Sequence, residues 1–112
     1  MQFVQDLNTA YAKGNANFIL VHASKDIVRY TYGVQKIEGK DAFSKAIHKM
    51  KNYVTDEITV HSIIAHGREA SSNGKIKMGG RTYAFCDVYH FVNKRCNVVK
   101  EMHTYVVAIS SK

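Results

Sequence analysis

The chain has 112 residues, with no proline, no tryptophan, two cysteines and 16 Lys+Arg against 9 Asp+Glu, a formal charge of +7. A chain this long hides roughly 65% of the surface its unfolded form exposes, enough for one core, so a single domain over 1–112 is expected. Apolar runs such as Phe18 to Val21 are far shorter than the ~20 residues of a membrane helix, and no basic-then-apolar leader follows Met1, so the expectation is a cytoplasmic protein with no membrane partner.

Phe3, Val4, Leu7, Ala10 and Tyr11 fall on one helical stripe and predict an amphipathic helix over 2–13. Gly14 ends it, and Asn15 or Asn17 can cap a short helix over 16–23. The β-branched and aromatic run Ile27 to Tyr32, closed by Gly33, reads as a strand. After Gly39, Phe43, Ala46, Ile47 and Met50 recur at helical spacing, with Asp41, Lys45 and Lys49 opposite, giving a third helix over 40–52.

Beyond Asp56 the pattern is strand and turn. Glu57 to His66 alternates around Ile58, Val60 and Ile63 and breaks at Gly67; 69–78 is a weaker, polar strand ending at Gly79-Gly80, a pair suited to a two-residue hairpin turn. Tyr83 to Val92 and Val98 to Ile109 form a second hairpin through a four-residue loop, Asn93 to Cys96. With Val92 facing Asn97, Asp87 stands opposite Met102, Phe85 opposite Thr104 and Cys86 opposite His103. This order predicts an α+β fold, a curved antiparallel sheet wrapped over three N-terminal helices with an internal pocket.

Several segments resemble the nuclear transport factor 2-like superfamily, which includes ketosteroid isomerase, limonene epoxide hydrolase and SnoaL-type cyclases. They are Ala12-Lys13-Gly14-Asn15, Lys25-Asp26-Ile27-Val28, Ile37-Glu38-Gly39-Lys40-Asp41-Ala42, Asp87-Val88-Tyr89-His90-Phe91 and Met102-His103-Thr104-Tyr105. The resemblance covers nearly the whole chain and implies a cone-shaped, cystatin-like roll. It also implies a homodimer through the outer sheet face and a cofactor-free pocket for a small hydrophobic molecule. Asp87 matches the oxyanion-stabilising acid of the isomerase branch. The tyrosine and general-base positions of that branch hold Leu7 and Thr31, and the arginine and second aspartate of the epoxide hydrolase branch are replaced by Phe85 and Thr104.

Strand alternation puts Tyr83, Phe85, Asp87, Tyr89 and Phe91 on one face, extended by Met102, Thr104 and Val106. A carboxyl among aromatics either rises in pKa or finds a partner, and a raised pKa makes Asp87 a candidate catalytic acid or base. The candidate ligand-binding residues are Arg29, Tyr11, Phe85, Tyr89, Met102 and Thr104. On the first strand, either Arg29 and Thr31 or Tyr30 and Tyr32 face the pocket.

The histidines show no HxH or HExxH spacing, His61 and His66 are expected on opposite faces of their strand, and no metal site is expected. Val88, His90, His103 and Tyr105 share the face away from Asp87, where a partner subunit would cover them. Cys86 and Cys96 are expected to be free thiols. The basic excess is spread evenly over both halves, and its densest clusters, Lys45, Lys49 and Lys51 on the third helix and Lys94-Arg95 in a turn, read as a solvated face, which argues against a nucleic-acid partner. Two function classes remain: a small-molecule isomerase, cyclase or lyase using Asp87, and a non-catalytic binding or interaction module.

Overall fold

The computed structural model describes residues 2–50 and 55–109. Three helices, α1 (Gln2–Lys13), α2 (Ala16–Val21) and α3 (Lys40–Met50), accompany six strands. These are β1 (Ala23–Thr31), β2 (Gln35–Glu38), β3 (Glu57–His66), β4 (Glu69–Met78), β5 (Arg81–Phe91) and β6 (Val99–Ile109). The strands form one curved, unclosed sheet in the order β2-β1-β6-β5-β4-β3. This is the α+β arrangement expected from the sequence, with one difference: β1 runs parallel to β6 while every other pair is antiparallel.

The helical stripes bury as their spacing requires. Val4, Leu7 and Ala10 of α1 and Phe43 and Ile47 of α3 join Ile27, Tyr89, Phe91 and Met102 of the sheet in one core. Each fully buried large apolar side chain contributes about 1.5–3 kcal/mol. Gly14 takes the positive φ that ends α1, and the Asn15 side chain accepts a 3.2 Å hydrogen bond from the Phe18 backbone N–H at the start of α2.

Other boundaries differ from the sequence reading. Helix α2 stops at Val21 rather than residue 23, because Ala23 already pairs with Val99 of β6. Strand β1 therefore starts four residues before Ile27, through polar Ser24, Lys25 and Asp26, which give no strand signal. Strand β2 was not expected; it pairs with β1 and buries a single apolar side chain, Ile37. The last part of the third helix expected over 40–52, and Lys51 with it, lies outside the described residues.

The β5–β6 register is shifted by two from the expected one. Asp87 faces Thr104, Phe85 faces Val106, Cys86 faces Tyr105 and Tyr89 faces Met102. One residue of the shift comes from the loop: Val92 N–H donates to Val98 C=O, so Phe91 pairs with Val99. The other comes from a bulge between His90 and Phe91. Two one-residue slips cancel in side-chain parity, so the face carrying Asp87 is kept. A bulge between Val60 and Ser62 likewise breaks the simple alternation that set His61 and His66 on opposite faces. Both cysteines are free, Cys86 half-buried and Cys96 buried.

Candidate functional site

Between α1 and the sheet lies a partly open cavity of about 170 Å³. Its walls are apolar: Ala12 and Met50 from the helices, Ile58, Ile76 and Met78 from β3 and β4, and Phe85, Met102 and Val106 from β5 and β6. Its polar end is made by Asn8, Tyr11, Arg29, Asp87 and Thr104. A dry apolar cavity of about 150 Å³ admits benzene, so this one suits a molecule of similar size with one polar end.

Asp87 is 8% exposed. Tyr89 Oη donates to Asp87 Oδ2 at 3.4 Å, while Asp87 Oδ1 has no hydrogen-bond partner among the described residues. Burial raises the Asp87 pKa above the usual carboxylate value, and the Arg29 charge and the Thr104 and Tyr89 hydroxyls oppose that rise. Arg29 makes no salt bridge with it; Arg29 Nη2 donates instead to Thr104 Oγ1 at 3.4 Å, and the guanidinium lies 5.1 Å from the centre of the Tyr11 ring. Tyr11 Oη donates to Met102 Sδ at 3.5 Å, and burial pushes this phenol up to about 12, with Arg29 opposing and Asp87 adding to the rise.

Behind the carboxyl, Tyr89 is fully buried and its hydroxyl lies 3.2 Å from Asn8 Oδ1 and 3.3 Å from Ser72 Oγ. Burial lifts its pKa well above that of a free phenol, so it remains a neutral donor. Asn8 Nδ2 and Arg29 Nε, like Asp87 Oδ1, are buried without a partner.

Thus Asp87, Arg29, Tyr11, Phe85, Met102 and Thr104 surround one cavity, whereas Tyr89 stands one layer behind it and supports Asp87. Phe91 packs on Phe3 of α1, 6.0 Å between ring centres, instead of lining the cavity. Of the two alternatives for β1, Arg29 faces inward and Tyr30 and Tyr32 lie outside, stacked on His103 and Tyr105. Leu7 is core, and neither it nor Thr31 lines the cavity. Asn8 and Ser72 were not anticipated. Asn8 falls four residues after Val4 and three before Tyr11, a polar residue at stripe spacing, and that was its available signal.

No protein-family model matches the sequence, and no curated protein matches it. Solved structures do. An LEH-like epoxide hydrolase from M. tuberculosis superposes with a TM-score of 0.79 at 15% identity, over 96% of this chain and 81% of that one. A nuclear transport factor 2-like protein of unknown function from Burkholderia xenovorans gives 0.78 at 17% identity, over 98% and 86%. An uncharacterised bacterial protein with a cystatin-like fold, from Silicibacter pomeroyi, gives 0.77 at 13% identity, over 94% and 73%. At these identities the likeness speaks for architecture and not for chemistry. The chain has the fold of the nuclear transport factor 2-like superfamily.

Proposed function

We propose that this protein binds a small, largely apolar molecule carrying one carbonyl or hydroxyl oxygen, and that Asp87 meets that oxygen as an acid. The observation that carries the reading is the set of buried polar atoms left unpaired around one apolar cavity: Asp87 Oδ1, Asn8 Nδ2 and Arg29 Nε. Each such group costs roughly 1–3 kcal/mol when unsatisfied, and a ligand oxygen placed among them recovers part of that. A carboxyl held toward its protonated form donates to the oxygen, and the Arg29 charge favours any negative charge developing there.

The chemistry this supports is a cofactor-free isomerisation, cyclisation or elimination in which Asp87 gives and takes the proton. Tyr11 and Tyr89 stay neutral near pH 7, so Asp87 is the carboxyl of the described cavity lining that can change charge. The absence of a second acid or base among those lining residues favours the other reading, a binding module without turnover. The neighbouring epoxide hydrolase fold is compatible with either.

Native mass spectrometry and thermal shift with small cyclic ketones and phenols, beside their hydrocarbon counterparts, test the proposal. Oxygen-bearing ligands should bind more tightly, and Asp87→Asn should erase the difference. Equal affinity for ketone and hydrocarbon in the wild type overturns the role given to Asp87. Turnover in the wild type that is lost in Asp87→Asn with binding kept identifies an enzyme. Discrimination without turnover identifies the binding module.

A second copy of the chain is the proposed partner of the outer sheet face. Ile64, Tyr105 and Val107 are 65%, 45% and 64% exposed there and border one groove with Cys86. An exposed apolar patch of this kind is typical of an interface, and an isologous sheet-to-sheet contact would cover both copies at once.

A further inference from the structure

The same outer face carries a second cluster, nearer the start of β6 than the apolar groove. Glu69 on β4 stands opposite His90 on β5, and His90 stands opposite Glu101 on β6. His103 lies two residues beyond Glu101 and so on the same face of the strand. One donor atom from each of His90, Glu101 and His103 lies within 4.8 Å of the other two.

We propose that His90, Glu101 and His103 form a site for one borderline divalent cation of the zinc class. Two imidazoles and one carboxylate are a donor set such cations prefer, and three protein ligands leave a position for water or a further ligand. Metal–ligand bonds of about 2.0–2.2 Å in tetrahedral geometry separate the donors by roughly 3.3 Å, so no pair has to close by more than about 1.5 Å. His103 and Glu101 are already in contact, so the closure falls on His90 and Glu101, whose side chains are 30% and 38% exposed and free to adjust.

The ligands are held before any cation arrives. Nδ1 of His103 is 2.8 Å from Tyr32 Oη, and the ring is stacked on Tyr30 at 4.7 Å and 8°. That arrangement leaves Nε2 facing Glu101 Oε2, 2.5 Å away, in a hydrogen bond that a bound cation would replace. His90 uses Nδ1 on Glu69, at 3.0 Å, and Nε2 is the nitrogen left to bind. A carboxylate or hydroxyl on the far nitrogen of each imidazole is the outer-sphere arrangement that orients metal-binding histidines. A purely structural ion-pair network would use the same carboxylates, but it would not require two imidazoles to lie beside one carboxylate, each with another nitrogen already engaged.

The site is tested on untagged full-length protein stripped with a chelator. Zn²⁺ is titrated in competition with a chromophoric chelator, and Co²⁺ is added separately to read its visible absorption. The expected result is one ion per chain and the intense bands of tetrahedral Co²⁺. Affinity should fall by about 100-fold in His90→Ala and in His103→Ala, and by about 10-fold in Tyr32→Phe, which touches no metal. His61→Ala/His66→Ala should bind like the wild type. Binding no tighter than about 100 µM, or binding unchanged in His90→Ala/His103→Ala, overturns the proposal. If a variant fails to fold, imidazole ¹⁵N shifts of the wild type decide: changes at His90 and His103 support the site, and changes confined to other histidines overturn it. Retained binding of a cavity ligand by the same variants separates failure here from failure of the Asp87 reading.

Discussion

Asp87 on β5 and Arg29 on β1 are joined through the strand between them: the Arg29 guanidinium reaches Thr104 on β6, the residue directly opposite Asp87, and forms no salt bridge with the acid itself. The carboxyl therefore feels the positive charge through space without being paired to it, and burial decides the direction of its pKa. A direct bidentate pair would hold the acid ionised and leave it little use as a proton donor. The threonine keeps a positive charge near the cavity without neutralising the acid.

Tyr89→Phe tests the layer behind Asp87. The change removes a fully buried hydroxyl that serves Asn8, Ser72 and Asp87 together and keeps the ring in the core. Loss of one such group costs about 1–2 kcal/mol, or a Tm drop of roughly 4–16 °C in a domain this small. Because the hydroxyl also stabilises the Asp87 carboxylate, its removal should raise the Asp87 pKa further, read by carboxyl ¹³C shifts. A Tm within one degree of wild type would show that the hydroxyl network carries no stability.

Gly74 is needed for a close approach. A Cβ there would fall 1.9 Å from the Thr59 carbonyl oxygen, at the β3 bulge, so Gly74→Ala has to push β3 away from β4. We expect a loss of several kcal/mol and weakened binding of any cavity ligand, since β3 supplies Ile58 to the wall. Gly33→Ala is the control. Its added Cβ meets nothing within 4 Å, and its positive φ costs only about 1 kcal/mol. Denaturant melts of the two variants should separate clearly.

Assembly is checked by light scattering at micromolar concentration. A sheet-to-sheet dimer burying more than ~1,000 Å² should appear for the wild type, and Ile64→Glu/Val107→Glu should be monomeric with little change in the stability of the subunit. Both side chains are exposed in the single chain, so the substitutions remove nothing from its core. A wild-type monomer would contradict the proposed partner.

The fold was largely legible because its signals are local. The stripe Val4, Leu7, Ala10, the break at Gly14 and the pair Gly79-Gly80, both at positive φ, each act within a few residues. What escaped depends on partners distant in the chain. Polar residues 24–26 become strand only because β6 lies alongside, and β2 exists because β1 offers an edge to a four-residue segment. The bulge in β3 was written in the sequence as the three-residue step from Val60 to Ile63, which strict alternation forbids. Asp87 and its face were legible because parity survived two cancelling slips. Asn8 and the convergence of His90 with His103 were not, since they appear only when helix, strand and register are assembled.

The Asp87 carboxyl should leave a signature in the pH dependence of stability. Its folded pKa lies above the ordinary 3.8, so across the interval from that value up to the folded pKa the native chain holds a proton that the unfolded chain has released. Stability contributed by this group is therefore complete below the ordinary value and is lost as pH rises through the interval, after which it changes no further. Asp87→Asn removes the dependence, because an amide carries no charge to bury. The Tm of Asp87→Asn minus that of wild type should grow with pH across the interval and then level off, with the variant at least as stable as wild type at neutral pH. Arg29→Met should move the wild-type transition to higher pH, since the charge opposing the rise is gone. Calorimetric melts of both single variants and the double variant from about pH 4 to 8 give the coupling between the two residues, which is modest if they are unpaired. Had they formed a buried salt bridge, Asp87→Asn would instead cost on the order of 3 kcal/mol by stranding the guanidinium. A wild-type Tm that climbs with pH relative to Asp87→Asn would reverse the sign of the shift and remove Asp87 as the acid of this cavity.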